Sequence, residues 1–318
     1  MTTTIGTCSS CGQTLPTESR FCMNCGRRVV ERGDVSGTSP EKLQRALGVQ
    51  YEVRGEIGRG GFGIVYSVQD LRLERKLAVK VIRPEFVASD VIIARFHREA
   101  KIVAQLNHQN VLSINFAGEG EGLVYCAMPQ IVGDTLRERL RDHGKLSIAK
   151  ALRVFGEIAR GLDHAHGKGI IHRDVTPANI MLDGLADDRA VLLDFGIAKA
   201  LQPTGGKLSI SGQVIGSPEY MSPERRVAAK GIDARSDVYS MGVVAFEMLT
   251  SRLPYRIDGP KRASRVGKRD QSPDPRAMRP DVPENFATAI ARCIMPAPED
   301  RWSSALEAAR AAGSITES

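Results

Sequence analysis

Four short motifs, far apart but in fixed order, constrain this chain more than any other feature. A glycine loop, Gly58-x-Gly60-x-x-Gly63-x-Val65, precedes Ala78-Val79-Lys80, then His172-Arg173-Asp174 with Asn179, and finally Asp194-Phe195-Gly196. Around the glycines, Tyr51–Ile57 alternates in polarity and Ile64–Val68 continues the strand pattern, which predicts two strands joined by a glycine hairpin. Strand rather than helix after the loop argues against a dinucleotide-binding fold. Leu77–Ile82 reads as an apolar strand that would bury Lys80. A buried ammonium without a counter-charge is costly, so an acid should meet it. The best candidate is Glu99, which shares a helix face with Phe96, Ala100 and Val103.

Further along, Leu123–Gly133 reads as a strand and its exit, and Ser147 can cap a helix whose apolar face carries Leu152, Phe155, Ala159 and Leu162. That helix leads to His172-Arg173-Asp174. In this order and at these spacings the motifs resemble the protein kinase signature, over about Tyr51 to Ala311. Their wording is most similar to the bacterial serine/threonine kinases of eukaryotic type.

The resemblance implies an α+β, bilobal kinase fold, with a small β-rich N-lobe over about residues 51–128 and a larger helical C-lobe over about 132–311. It implies ATP and Mg2+ or Mn2+ as cofactors, and serine or threonine hydroxyls of proteins, including this one, as acceptors. By position, Lys80 would hold the nucleotide phosphates with Glu99 orienting it. Asp174 would accept the acceptor hydroxyl's proton, and Asn179 and Asp194 would hold magnesium. Ile57, Gly58, Gly60, Gly61, Gly63, Val65, Ala78 and Met128 would line the nucleotide site, with Met128 behind the adenine and Pro129–Ile131 as hinge. Arg173 would bind a phosphate on the activation loop, from Ala198 to about Ile215, where Thr204, Ser209 and Ser211 are candidate phosphosites. Gly216–Glu224 would receive the substrate, Glu224 would pair with Arg301, and Asp237 would brace the catalytic loop.

One position departs from the pattern. The family usually carries lysine two residues after the catalytic aspartate, and here Thr176 stands there. Loss of a charge that contacts the transferring phosphate would cost about 2 to 4 kcal/mol in the transition state, by analogy with lost oxyanion donors. A slow kinase is the expectation. Lys199 is a candidate substitute charge, and Ser217 replaces a usual threonine while keeping the hydroxyl.

The first fifty residues follow another logic. Cys8-x-x-Cys11 and Cys22-x-x-Cys25 are separated by ten residues, with Gly12 and Gly26 after the pairs. Two such turns offer four thiolates in a tetrahedron, the arrangement of a structural four-cysteine zinc ribbon over residues 1–28, closed to catalysis. Disulfides are the competing reading, disfavoured in a chain whose start lacks the basic and apolar stretches of a secretory signal. So short a module needs its metal to fold. Its expected role is docking a protein partner. Residues 29–50 have linker composition, ending in Pro40–Leu47, a candidate short helix packed on the domain that follows.

Among 318 residues there is no apolar run long enough to span a membrane, so a cytoplasmic location is expected. Cys126 and Cys293 sit singly in apolar surroundings and read as buried hydrophobes. The net charge of +7 hints at acidic partners, yet bases and acids are mixed along most of the chain. One basic cluster, Arg252 to Arg269, reads as a solvated loop. Nucleic-acid binding is disfavoured because no aromatic stacking platform accompanies the bases. The rival from another class is a pseudokinase: a nucleotide-binding scaffold with a docking ribbon, supported by Thr176 and opposed by the complete set Lys80, Glu99, Asp174, Asn179 and Asp194.

Overall fold

In the computed structural model the described residues are 39–87, 89–195, 217–227, 229, 231–255 and 273–315, with the backbone of 4–7 and 14–16. The expected zinc ligands Cys8, Cys11, Cys22 and Cys25 lie outside the described residues. So do Gly196, Lys199, the candidate phosphosites Thr204, Ser209 and Ser211, and nearly all of the basic cluster. Strands β1 (Thr4–Thr7) and β2 (Thr14–Pro16), which flank the first cysteine pair in sequence, form an antiparallel pair.

A five-stranded antiparallel sheet carries the first lobe. Its strands are β3 (Tyr51–Arg59), β4 (Gly63–Asp70), β5 (Arg75–Ile82), β6 (Phe116–Gly120) and β7 (Leu123–Pro129), in the order β3-β4-β5-β7-β6. The last six residues of β5, Leu77–Ile82, are all buried, because the sheet is covered on both faces. On one face Leu77, Val79 and Val81 pack with Leu43 and Leu47 of helix α1 (Pro40–Leu47). On the other, Ala78 and Ile82 pack with Phe96, Ala100 and Val103 of helix α2 (Asp90–Val103).

Helix α1 is therefore part of the lobe's core, although its residues fall in a stretch of linker composition. Ser39 caps it through a 3.3 Å hydrogen bond from Lys42 N. Its Gln44 side chain donates to Tyr51 O at 2.8 Å and accepts from Val53 N at 2.9 Å, tying the helix to the first strand of the sheet.

Among the loop glycines, Gly63 answers to the fold. A Cβ there would stand 2.2 Å from the Val81 carbonyl oxygen, so the β4–β5 pairing itself excludes a side chain. Gly60 and Gly61 meet nothing within 4 Å, and Gly58 only Val65 at 3.9 Å.

The chain leaves the sheet through Pro129–Val132 into a small sheet of β8 (Gly133–Thr135), β9 (Ile180–Asp183) and β10 (Arg189–Leu192), ordered β10-β9-β8. Helix α3 (Leu136–His143) starts in a reciprocal capping box of Thr135 and Glu138. Helix α4 (Ile148–His166) starts at the Ser147 cap expected from the sequence. It buries Phe155, Ala159 and Leu162 in a core shared with α6 (Arg235–Thr250), α7 (Glu284–Cys293) and α8 (Ala305–Ala311). The short helix α5 (Pro223–Arg226) precedes α6. Cys126 and Cys293 are both fully buried. Burial pushes the Cys126 thiol up to about 12, so it is an inert core side chain. No helix among the described residues is long and apolar enough to cross a membrane.

Candidate active site

The site brings together Lys80 of β5, the loop before β9, Asp194 just after β10, and α6. Strand β5 delivers Lys80 on the α2-facing side, opposite Cys126 in β7 and Val65 in β4. Ala78 pairs with Met128, which puts the two expected nucleotide-contact residues side by side at the lobe boundary.

Lys80 meets a carboxylate that its sequence neighbourhood does not single out. Lys80 Nζ donates to Asp194 Oδ2 at 2.6 Å, between residues 114 apart in sequence. Glu99 is buried on α2, on the face with Phe96, Ala100 and Val103, and its carboxylate lies 3.6 Å from the Arg98 guanidinium. Burial demands a counter-charge for Lys80, and sequence spacing alone does not show that Asp194, 114 residues away, comes within its reach.

Asp174 and Asn179 are locked to one another. Asn179 Nδ2 donates to the Asp174 backbone oxygen and to its Oδ2, both at 2.8 Å. That commitment leaves the Asn179 amide oxygen as an acceptor. The backbone oxygen of Asn179 accepts from Leu193 N at 2.9 Å, which joins the catalytic loop to the residue before Asp194. Asp194 has φ of 60°, a left-handed conformation uncommon outside glycine, and Arg173 has φ of 69°.

Asp237 on α6 holds this backbone in place. Its carboxylate is wholly buried and accepts from His172 N at 2.7 Å, Arg173 N at 2.8 Å and His166 Nε2 at 2.8 Å. Burial works to raise this carboxyl. The His166 hydrogen bond, the charges of His166 and His172 and the Arg173 N–H outweigh it and hold the group below its usual range. The His172 ring packs on Phe195 at 4.4 Å between centroids, linking the two motifs.

On the far side of the catalytic loop, Glu224 forms a two-pronged pair with Arg301, both contacts 2.8 Å, as the sequence suggested. Arg301 is almost fully buried. Burial raises the Glu224 carboxyl, and the Arg301 contact more than reverses that. Tyr220 donates to Glu247 at 2.6 Å, and Ser240 donates to Tyr220 O at 2.8 Å, so the segment before α5 is seated on α6. Thr176 is buried, 2% exposed, at the start of the turn Pro177–Asn179. His166, which shares Asp237 with the catalytic loop, is absent from the sequence-based set. A histidine at a helix end carries no such signal in one sequence.

The donor set suits a hard divalent cation. Asp194 and Asn179 offer a carboxylate and an amide oxygen, and a cation, the Lys80 ammonium, already rests on Asp194. No cluster of three or more histidine, cysteine or acidic side chains apt for another metal occurs among the described residues.

Comparison with known proteins agrees with this geometry. The protein kinase domain family matches residues 51–312, and a zinc-ribbon domain family matches residues 7–29. A probable serine/threonine-protein kinase of Clostridium acetobutylicum is 36% identical over 263 residues, 82% of this chain and 39% of that protein. Serine/threonine-protein kinase PknB of Mycobacterium tuberculosis is 35% identical over 265 residues, 82% of this chain and 42% of that protein. The chain thus corresponds to about two-fifths of these curated relatives. Among solved structures, the Mycobacterium tuberculosis PknI kinase domain superposes with a TM-score of 0.64 at 28% identity, covering 83% of this chain and 96% of that one. With the lysine, the catalytic loop, the two candidate cation-binding side chains and the Glu224–Arg301 pair all in place, this chain belongs to the protein kinase family, its kinase domain preceded by a zinc ribbon.

Proposed function

We propose that this chain transfers the γ-phosphate of ATP to serine and threonine hydroxyls of proteins, itself among them. The observation that carries the reading is the lock between Asp174 and Asn179 beside the Lys80–Asp194 pair, a base and two oxygen donors converging from separate segments. In this reading the acceptor hydroxyl gives its proton to Asp174 as its oxygen bonds the γ-phosphorus and the bond to the β-phosphate oxygen breaks. Asn179 orients the Asp174 carboxylate while presenting its own oxygen to the cation. Lys80 would leave Asp194 to hold phosphate oxygens, with Glu99 as its alternative acid. Magnesium held by Asp194 and Asn179 would offset the charge on the phosphates. Gly60 and Gly61, with open space where a side chain would be, suit close approach of a nucleotide, and Gly58, where a Cβ would touch only Val65, adds to it.

Phosphate transfer from Mg-ATP to a generic acceptor protein tests this. Phosphoserine and phosphothreonine in the product, lost in Asp174→Asn, are expected. Nucleotide binding without transfer would favour the pseudokinase scaffold, for which Thr176 is the supporting residue.

Cys8, Cys11, Cys22 and Cys25 are proposed to hold one structural zinc in a module that docks protein partners. A thiolate site needs reduced cysteines, which favours the cytoplasm. Chelation should release one zinc and leave peptide-phosphorylation rates within about twofold, because a closed four-sulfur site has no open position for chemistry. Metal analysis together with the rate measurement checks both halves.

A further inference from the structure

Two residues just after β5, outside every motif read from the sequence, close on the tip of the glycine loop. Arg83 N donates to Phe62 O at 3.0 Å, which carries the β4–β5 ladder one residue beyond the pairing of Gly63 with Ile82. Its Nη2 donates to Gly60 O, also at 3.0 Å, and its Nη1 lies 3.7 Å from the Glu85 carboxylate. One short helical turn follows, Pro84–Phe86, in which Phe86 N donates to Arg83 O at 3.0 Å. The turn brings the Phe86 ring to 5.4 Å from the Phe62 ring between centroids, tilted by 52°. Both rings are partly buried and pack against the core that holds Ala78, Ile82 and Phe96.

The tip reads Gly60-Gly61-Phe62-Gly63, so Phe62 is its one side chain. Glycines have no side chain to anchor and wide backbone freedom, so the orientation of such a tip must come from its neighbours. Arg83 and Phe86 supply it, one through the backbone and one through the ring. In a trans peptide the C=O and the following N–H project to opposite sides. The hold of Arg83 on Gly60 O therefore turns the Gly61 N–H away from the guanidinium. Among the described residues nothing accepts from the N–H of Gly61 or Phe62, and a Cβ on Gly61 would meet nothing within 4 Å. Those amides are donors open to an anion.

We propose that Arg83 and Phe86 are positioning residues that act through Gly60 and Phe62 to hold the loop amides against the phosphates of ATP. The inference rests on the kinase reading. Loss of either residue should weaken recognition of the phosphates and leave the nucleoside part of the site intact.

The test is calorimetric titration of the full chain with Mg-ATP and, separately, with adenosine, which needs the folded site but offers no phosphate. Phe86→Ala and Arg83→Ala should each weaken Mg-ATP binding by about fivefold, the worth of one aromatic pair or one hydrogen bond, with adenosine affinity within about twofold of the parent. Phe86→Tyr, which keeps the ring, and Arg83→Lys, which keeps a donor, should restore most of the loss. Phe62→Ala/Phe86→Ala should weaken Mg-ATP no more than the larger of the two single changes, because the rings act as one contact. Equal losses for adenosine and Mg-ATP would mean that the two residues only support the lobe. Unchanged Mg-ATP affinity in Phe86→Ala would mean that the loop keeps its place without the ring pair. Either result overturns the inference and leaves the kinase reading standing. The expected pattern in a chain that transfers no phosphate overturns the kinase reading alone, and a parent that binds no Mg-ATP overturns both.

Discussion

Thr176 stands two residues beyond Asp174, where the family pattern calls for a positive charge, and it is buried. Lysine there would supply a cation for the phosphate in transit, and one such donor is worth about 2 to 4 kcal/mol in related transition states. Thr176→Lys should therefore raise kcat, by about 10-fold or more, with a smaller change in KM. Steady-state kinetics on one peptide substrate checks it, and an unchanged kcat would show that another group already provides the charge.

Asp237 is the other residue with a sharp consequence. Its folded-state pKa lies below that of the unfolded chain, near 3.9, so its contribution to stability is complete above about pH 5. That contribution is lost as pH falls through the unfolded value toward the folded one. Asp237→Asn should lower stability by about 3 to 5 kcal/mol near neutral pH, because three buried donors lose a charged acceptor. It should also flatten the fall of Tm between about pH 5 and pH 3. Thermal melts of both proteins across that range decide the matter.

Among the elements, helix α1 separates what the sequence discloses from what it conceals. Its cap, its proline at the first turn and its leucines at positions 43 and 47 are legible as a short helix. That the lobe needs such a cover is also written in β5, whose apolar residues Leu77, Ala78, Val79, Val81 and Ile82 fall on both faces and must be shielded there. The run does not say which segment provides the second cover. Leu43 is wholly buried against that face. Leu43→Ala should cost about 2 to 5 kcal/mol, measured by chemical unfolding, as for other buried leucines. A cost below about 0.5 kcal/mol would mean that α1 is a dispensable linker.

At the same scale, the glycine loop is legible as a hairpin, but the reason for each glycine is not. Gly63 is fixed by the Val81 carbonyl, a contact between strands that no local pattern reveals. The Lys80–Asp194 pair is hidden from the sequence for a related reason. A helix face shows that Glu99 points inward, and only the closed fold shows that the Asp194 carboxylate reaches Lys80.

For the molecule as a whole, the long spacings among Lys80, Asp174, Asn179 and Asp194 carry the architecture, because those groups serve one reaction only if two lobes bring them together. The structure brings them together, with Asp237 and the Glu224–Arg301 pair tying catalytic loop, α5 and α6 into one frame. The central claim is that this frame performs phosphoryl transfer. Intact mass of the purified chain after incubation with magnesium and ATP, beside Asp174→Asn, tests it most directly. The account predicts increments of about 80 Da per phosphate in the parent and none in Asp174→Asn. An unchanged parent mass, with nucleotide shown to be bound and an acceptor protein also left unmodified, would contradict it.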